Sequence, residues 1–241
     1  GGPLAGTGAA LDFGLITAAS TYSVTATNTS STCTNNMAGS VTVSLNPLPV
    51  AYNVTGGGGY CAGGRGVAVG LSSSDVTISY QLYRDGIAIG TPLAGTGGAI
   101  SYGLQTVVGL YTIVATNTVT SCMNNMTGSA SVIINPLPLV YNVTGGGNYC
   151  AGGTGVHVYL STSDAGINYQ LYNGSTTVGS TVAGTGSMLD FGLLTAVGTY
   201  SVSATDATTG CMSNMTGSAT IAIDPLPTVY AMTGGGSYCA G

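Results

Sequence analysis

The chain has 241 residues, of which 44% are hydrophobic and only 4% are charged, with a formal net charge of −5. Its two cations are Arg65 and Arg84 and it has no Lys, so no basic surface exists to neutralise phosphates, which excludes nucleic acid as a partner. The apolar fraction separates it from disordered chains, which combine high charge with few apolar residues, and no apolar run reaches membrane-spanning length.

The sequence repeats itself every 89 residues. Cys33, Cys122 and Cys211 keep that interval, as do Cys61, Cys150 and Cys239, and so does each Pro-Leu-Pro beginning at Pro47, Pro136 and Pro225. Such self-similarity predicts tandem copies of one small domain. In chain order, residues 1–46 read as the C-terminal part of a truncated repeat, 47–135 and 136–224 as complete repeats, and 225–241 as the start of a further one. Neither end coincides with a repeat boundary, so the chain is expected to be a window on a longer protein.

Within 47–135, Pro47-Leu48-Pro49 predicts a short stiff linker, since two prolines fix φ and favour an extended path. The Gly56 to Gly59 run reads as a flexible turn; no helix or Lys follows it, which argues against a phosphate cradle. Val67, Val69 and Leu71 alternate with small residues and predict a strand, as do Ile78, Tyr80 and Leu82. Asp85-Gly86 suits the positive φ of a tight hairpin onto Ile87-Ala88-Ile89. Further strands are expected near Ile100–Tyr102, Tyr111–Ala115 and Ala130–Ile134. Tyr111, entering its strand after a Gly turn, suggests a tyrosine corner, with Tyr22 and Tyr200 as its copies. About seven short strands and no helical periodicity predict an all-β, immunoglobulin-like β-sandwich, repeated in tandem.

Chemistry-bearing residues are sparse. There is one His, no Glu and no Lys, and the seven Asp are scattered, so no catalytic, cofactor or metal site is expected. His157, between Val156 and Val158, is expected on a solvated strand face. Asp12 and Asp190 hold equal positions but the middle copy has Ser101, which weakens a shared calcium site. Tyr83 and Tyr172 are expected to face outward, with Tyr159 beside them, as a possible platform for stacking on surface glycans. A nearly uncharged surface also favours self-association into a filament or bundle.

The six Cys point to disulfides in an oxidising, extracellular setting rather than to zinc, which needs closely paired ligands. Spacing permits three schemes. Within a repeat, Cys61 would join Cys122 and Cys150 would join Cys211. Across a junction, the pairs would be Cys33–Cys61, Cys122–Cys150 and Cys211–Cys239. Between neighbours, Cys61 would join Cys211.

Asn142-Val143-Thr144-Gly145-Gly146-Gly147, Tyr149-Cys150-Ala151-Gly152, Tyr169-Gln170-Leu171-Tyr172, Gly198-Thr199-Tyr200-Ser201-Val202 and Asp224-Pro225-Leu226-Pro227 carry a resemblance. The array resembles the immunoglobulin-like or PKD-like tandem repeats of giant Bacteroidota cell-surface proteins, including SprB-like gliding adhesins exported by the type IX system. The resemblance implies an exported filament or adhesin stalk at the cell surface, without enzymatic activity. It also implies the within-repeat pairing of Cys61 with Cys122 and of Cys150 with Cys211, leaving Cys33 and Cys239 to pair outside this stretch.

Overall fold

The computed structural model describes residues 2–241. Among them there is no helix; every regular element is a strand. The strands are β1 (Ser20–Tyr22), β2 (Thr25–Thr27), β3 (Thr34–Asn36) and β4 (Val41–Val43) in the partial copy. In the middle copy they are β5 (Val54–Gly56), β6 (Gly58–Cys61), β7 (Val67–Leu71), β8 (Ile78–Arg84), β9 (Ile87–Ala94), β10 (Ile100–Gln105), β11 (Gly109–Asn117), β12 (Met123–Asn125) and β13 (Ala130–Asn135). The third copy holds β14 (Val143–Gly145), β15 (Gly147–Cys150), β16 (Val156–Leu160), β17 (Ile167–Asn173), β18 (Thr176–Ala183), β19 (Leu189–Leu194), β20 (Gly198–Asp206), β21 (Met212–Asn214) and β22 (Ala219–Asp224).

The chain forms two compact units. One runs to Thr55 and adds Gly70–Tyr102 and Tyr111–Ser129; the other comprises Gly56–Val69, Gly103–Leu110 and Ala130–Gly241. The third copy lies wholly in the second unit. One of its sheets has the order β14-β16-β19, and the other the order β15-β22-β20-β17-β18, with β21 on β20. Two antiparallel-rich sheets in this order make an immunoglobulin-like sandwich whose first strand is split between the sheets. The chain is therefore all-β, a tandem array of immunoglobulin-like repeats.

Alternation builds the core. Ile167, Tyr169 and Leu171 of β17 point inward with Tyr200, Val202 and Ala204 of β20, and they meet Val158, Leu160 and Leu189 from the facing sheet. The tyrosines, buried or half-buried, carry their own hydrogen-bond partners. Tyr200 donates its hydroxyl to the Ala196 carbonyl four residues back at 2.7 Å, and Tyr22 does the same to Ala18 at 2.8 Å, which is the expected tyrosine corner. Tyr169 accepts the Asp164 backbone N–H at 2.9 Å, and Tyr141 donates to the Asp164 carboxylate at 2.8 Å. Buried Ser163 donates to Ser187 O at 2.6 Å and accepts the Thr185 N–H at 3.0 Å, pinning the Ala-Gly-Thr-Gly loop.

The Gly-rich segment departs from the turn expected of it. Gly145 ends β14 in one sheet and Gly147 opens β15 in the other, so Gly146 carries the chain across the sandwich edge. Gly146 has φ +76°, and a Cβ there would stand 2.6 Å from the Thr220 carbonyl oxygen. The copy at Gly57 meets Ser131 O at 2.7 Å. Glycine is required at this crossing because the backbone presses against a neighbouring strand with positive φ. Beyond it, β15 runs parallel to β22, and β6 runs parallel to β13.

In the first unit, β8 pairs with β9 and β11, and β11 pairs with β12, in the register seen one repeat later. The hairpin at Asp85 (φ 51°) and Gly86 (φ 81°) forms as its sequence predicts. A bulge between Tyr80 and Leu82 is filled by the Gln81 amide, which donates to Leu82 O and Ile89 O, each at 2.8 Å. In residues 2–46, β1 pairs with β4 and β2 with β3. Val24, Met37 and Val41 there are exposed, although their third-copy counterparts Val202, Met215 and Ala219 are buried. Residues 1–46 match only the second half of a repeat, so the strands that would cover these side chains have no counterpart among them.

Two tests follow from the core. Gly184 would place a Cβ 1.9 Å from Asp164 O, so Gly184→Ala should cost about 3 kcal/mol or more in urea denaturation, against roughly 1 kcal/mol for Tyr200→Phe. Tyr102 donates to Tyr80 O at 2.8 Å, and burial, then the proximity of Tyr80, push its hydroxyl up to about 12. A folded value above the unfolded value of about 10 stabilises the neutral form. That stability is complete below pH 10 and is lost as pH rises through 12. Thermal unfolding followed from pH 9 to 12 should show the fall, and Tyr102→Phe should flatten it.

Candidate functional site

The one covalent cross-link among the described residues joins Cys61 to Cys211, with Cα atoms 5.5 Å apart across a sequence separation of 150. Of the three schemes that spacing permits, this is the bond between neighbouring repeats. It corrects the expected pairs Cys61–Cys122 and Cys150–Cys211: Cys122 and Cys150 are free thiols, as are Cys33 and Cys239. The reason is visible in the third copy. Cys150 ends β15 beside Asp224, near the start of β20, whereas Cys211 lies in the turn beyond the end of β20. The nine residues of β20 separate the two by roughly 27 Å at 3.4 Å per residue. A disulfide requires Cα atoms within about 7 Å, so the within-repeat bond is out of reach.

The bond sits on a clasped linker. Upstream, Cys61 is paired in register with Asn135, and the Ala62 N–H donates to Asn135 O at 2.9 Å. Downstream, the Ser213 hydroxyl donates to Pro138 O at 2.8 Å, and Pro138 is buried. Pro136-Leu137-Pro138 is therefore held at both ends, with sulfur spanning the same gap. Cys211 itself is fully buried, which shields the bond on that side. The same hold on a linker recurs in the first unit, where the Asn124 amide donates to Pro49 O at 2.8 Å. Sequence reading missed Asn124 and Ser213; the one available signal was their equal distance of 75 residues from a proline in each copy.

The candidate aromatic platform divides. Tyr172 is half-buried on β17 and lines an open groove of about 340 Å³ with Ser201, Ser203, Met212 and Asn214. Tyr83 is half-buried at the same position of β8. Tyr159, expected beside Tyr172, lies instead on β16 in the opposite sheet, because the two strands belong to different layers of the sandwich. It stacks on His157 with ring centroids 5.6 Å apart. The groove also changes between copies, since Ser201 and Ser203 correspond to Thr112 and Val114 one repeat earlier.

His157 faces outward but is not merely solvated: its Nδ1 lies 2.9 Å from Asp190 Oδ1. Burial opposes ionisation of Asp190, yet the His157 hydrogen bond and the Gly192 N–H outweigh it and hold the carboxyl below the usual range. Asp12 caps Gly14 N–H in the same way at 2.8 Å, so both residues act in local turns. Among the described residues, no group of three metal-ligating side chains converges.

No protein-family model matches the chain, and no curated protein matches it. Among solved structures, it is similar to the fibronectin(III)-like modules of Clostridium thermocellum CbhA (14% identity, TM-score 0.42, 75% of this chain and all of that one). It is also similar to murine CEACAM1b (13% identity, TM-score 0.38, 69% of this chain and 96% of that one) and to the human OSCAR ligand-binding domain (12% identity, TM-score 0.32, 73% and 100%). The immunoglobulin-like assignment rests on the strand order described above.

Removing the clasp should be costly without dissolving the sandwiches. Closing a 150-residue loop is worth roughly 5 kcal/mol in the chain-entropy relation. Cys61→Ser with Cys211→Ser should therefore lower the thermal midpoint markedly while leaving the far-ultraviolet circular dichroism of the folded protein unchanged.

Proposed function

We propose that the chain is a load-bearing segment of a long extracellular filament or adhesin stalk, built of disulfide-stapled immunoglobulin-like repeats and carrying out no catalysis. Its working domains are the repeats at 47–135 and 136–224, with 1–46 and 225–241 as parts of flanking copies. The observation that carries this reading is the clasp: a disulfide from one repeat to the next across a linker already held at both ends. A protein whose task is recognition has no need to bridge its own linkers covalently. A protein under tension does, because force applied along the chain passes through sulfur and spares the residues between Cys61 and Cys211.

A disulfide of this kind persists in oxidising compartments, which supports an extracellular location. The likeness to Bacteroidota surface arrays extends that to the cell surface. With so little charge to repel neighbouring chains, lateral association through polar, Tyr-rich contacts would bundle them. A glycan-binding array asks for one repeated groove, and the change of Ser203 to Val114 between copies favours the mechanical reading instead.

Pulling single molecules by their two ends tests the load path. Under oxidising conditions the 150-residue interval should stay closed, and reductant should lengthen the fully extended chain by roughly 500 Å at about 3.5 Å per residue. A contour length indifferent to reductant would overturn the reading. For bundling, sedimentation at high concentration should show assemblies in both low and high salt; dispersed monomers in both would remove self-association from it.

A further inference from the structure

Three of the four remaining thiols, Cys33, Cys122 and Cys150, fall into two structural kinds, and the bonded pair contains one of each; Cys239 is the sequence counterpart of Cys61 and Cys150. Cys150 repeats the setting of Cys61. It ends a strand parallel to the last strand of its repeat, opposite Asp224 as Cys61 is opposite Asn135. The following N–H, of Ala151 or Ala62, bonds that partner's carbonyl at 2.9 Å, and Gly153 or Gly64 closes the same turn. Cys122 repeats the setting of Cys211. Each closes a hairpin turn, Asn117 N–H to Cys122 O at 2.9 Å and Asp206 N–H to Cys211 O at 2.8 Å, and each N–H meets a Thr hydroxyl two residues back. Cys33 closes the same turn on Asn28.

The Cys122 sulfur also lies 4.0 Å from Asn46 O. Asn46 is the counterpart of Asn135, the residue directly beside Cys61. Cys122 is thus already placed where a strand-end cysteine would arrive if a Tyr-Cys-Ala-Gly segment lay along β4 as β6 lies along β13.

We propose that Cys150 and Cys122 are the two unmade halves of further clasps, each specific for the opposite kind of cysteine in another copy of this repeat. The chemistry is thiol–disulfide exchange. One thiolate attacks a low-molecular-weight disulfide, releasing one thiol; the second thiolate attacks the mixed disulfide, forming the protein bond and releasing the other thiol, so that both protons end on the small thiols. The partner is a further repeat, either in the same longer chain or in a second copy. Successive clasps would interleave, since the Cys61–Cys211 interval encloses Cys150. Covalent tension would then need only the 28 backbone residues from Cys211 to Cys239 between one clasp and the next but one.

The inference rests on the clasp and not on load bearing, and it is tested without force. The 241-residue chain is incubated with reduced and oxidised glutathione, alkylated, and resolved on a non-reducing gel with peptide mapping. A ladder whose joints link Cys150 or Cys239 to Cys33 or Cys122 assigns the partner to a second copy. In parallel, a chain in which residues 136–224 are duplicated in tandem is treated identically. A monomer in which Cys150 is bonded to the added hairpin cysteine assigns it to the same chain. Cys33→Ser with Cys122→Ser should abolish the ladder and leave Cys61–Cys211 intact. Thiols that remain alkylatable in both chains, or joints of like with like such as Cys150 to Cys150, would overturn the proposal.

Discussion

The parallel pairing of a glycine-rich strand with the last strand of its own repeat is the constraint on which the rest of the structure depends. Gly146 lets the backbone cross from β14 to β15 at a point where a side chain would strike the Thr220 carbonyl. The crossing turns the strand along β22, so Cys150 is delivered to the exit end of the repeat, beside the linker to the next. The hairpin cysteine stays at the entry end. Each complete repeat therefore carries its two cysteines at opposite ends, and neither can reach the other within the repeat.

A second theme is how a chain with so few charges secures its loops. His157 and Asp190, in contact at 2.9 Å, lie at the surface, where such contacts contribute little. The work falls to neutral hydrogen bonds that tie side chains to backbone: Tyr200 to Ala196, Ser163 to Ser187 and Thr185, Gln170 across its bulge to Leu171 and Val178. No buried side-chain nitrogen or oxygen among the described residues lacks a partner. Bonds of this kind depend on burial and geometry and respond little to salt.

The clasp combines both themes. The linker prolines limit bending by fixing φ, the Ser213 and Ala62 hydrogen bonds hold the flanking carbonyls, and sulfur closes the interval covalently. Three devices of rising strength guard the same three residues. None of them resembles a reactive cleft, and the half-buried tyrosines Tyr83 and Tyr172 are better understood as polar surface of the outer sheet faces than as a shared platform with Tyr159.

Much of this was legible in the sequence. The 89-residue period, the alternation in Ile78–Leu82, the Asp85-Gly86 hairpin and the tyrosine corners are local signals, decided by side-chain period and by backbone preferences over a few residues. They determined the all-β class, the immunoglobulin-like sandwich and its repetition. Three things were decided only in three dimensions. The Gly56 to Gly59 run became a sheet-to-sheet crossing rather than a turn, because its fate hangs on how closely Ala68 and Ser131 approach it. Tyr159 parted from Tyr172 because layer membership is not encoded in strand alternation. Cys61 and Cys211 paired across repeats because a disulfide reports a distance of a few ångströms, and spacing along the chain carries no measure of that distance until strand direction is known.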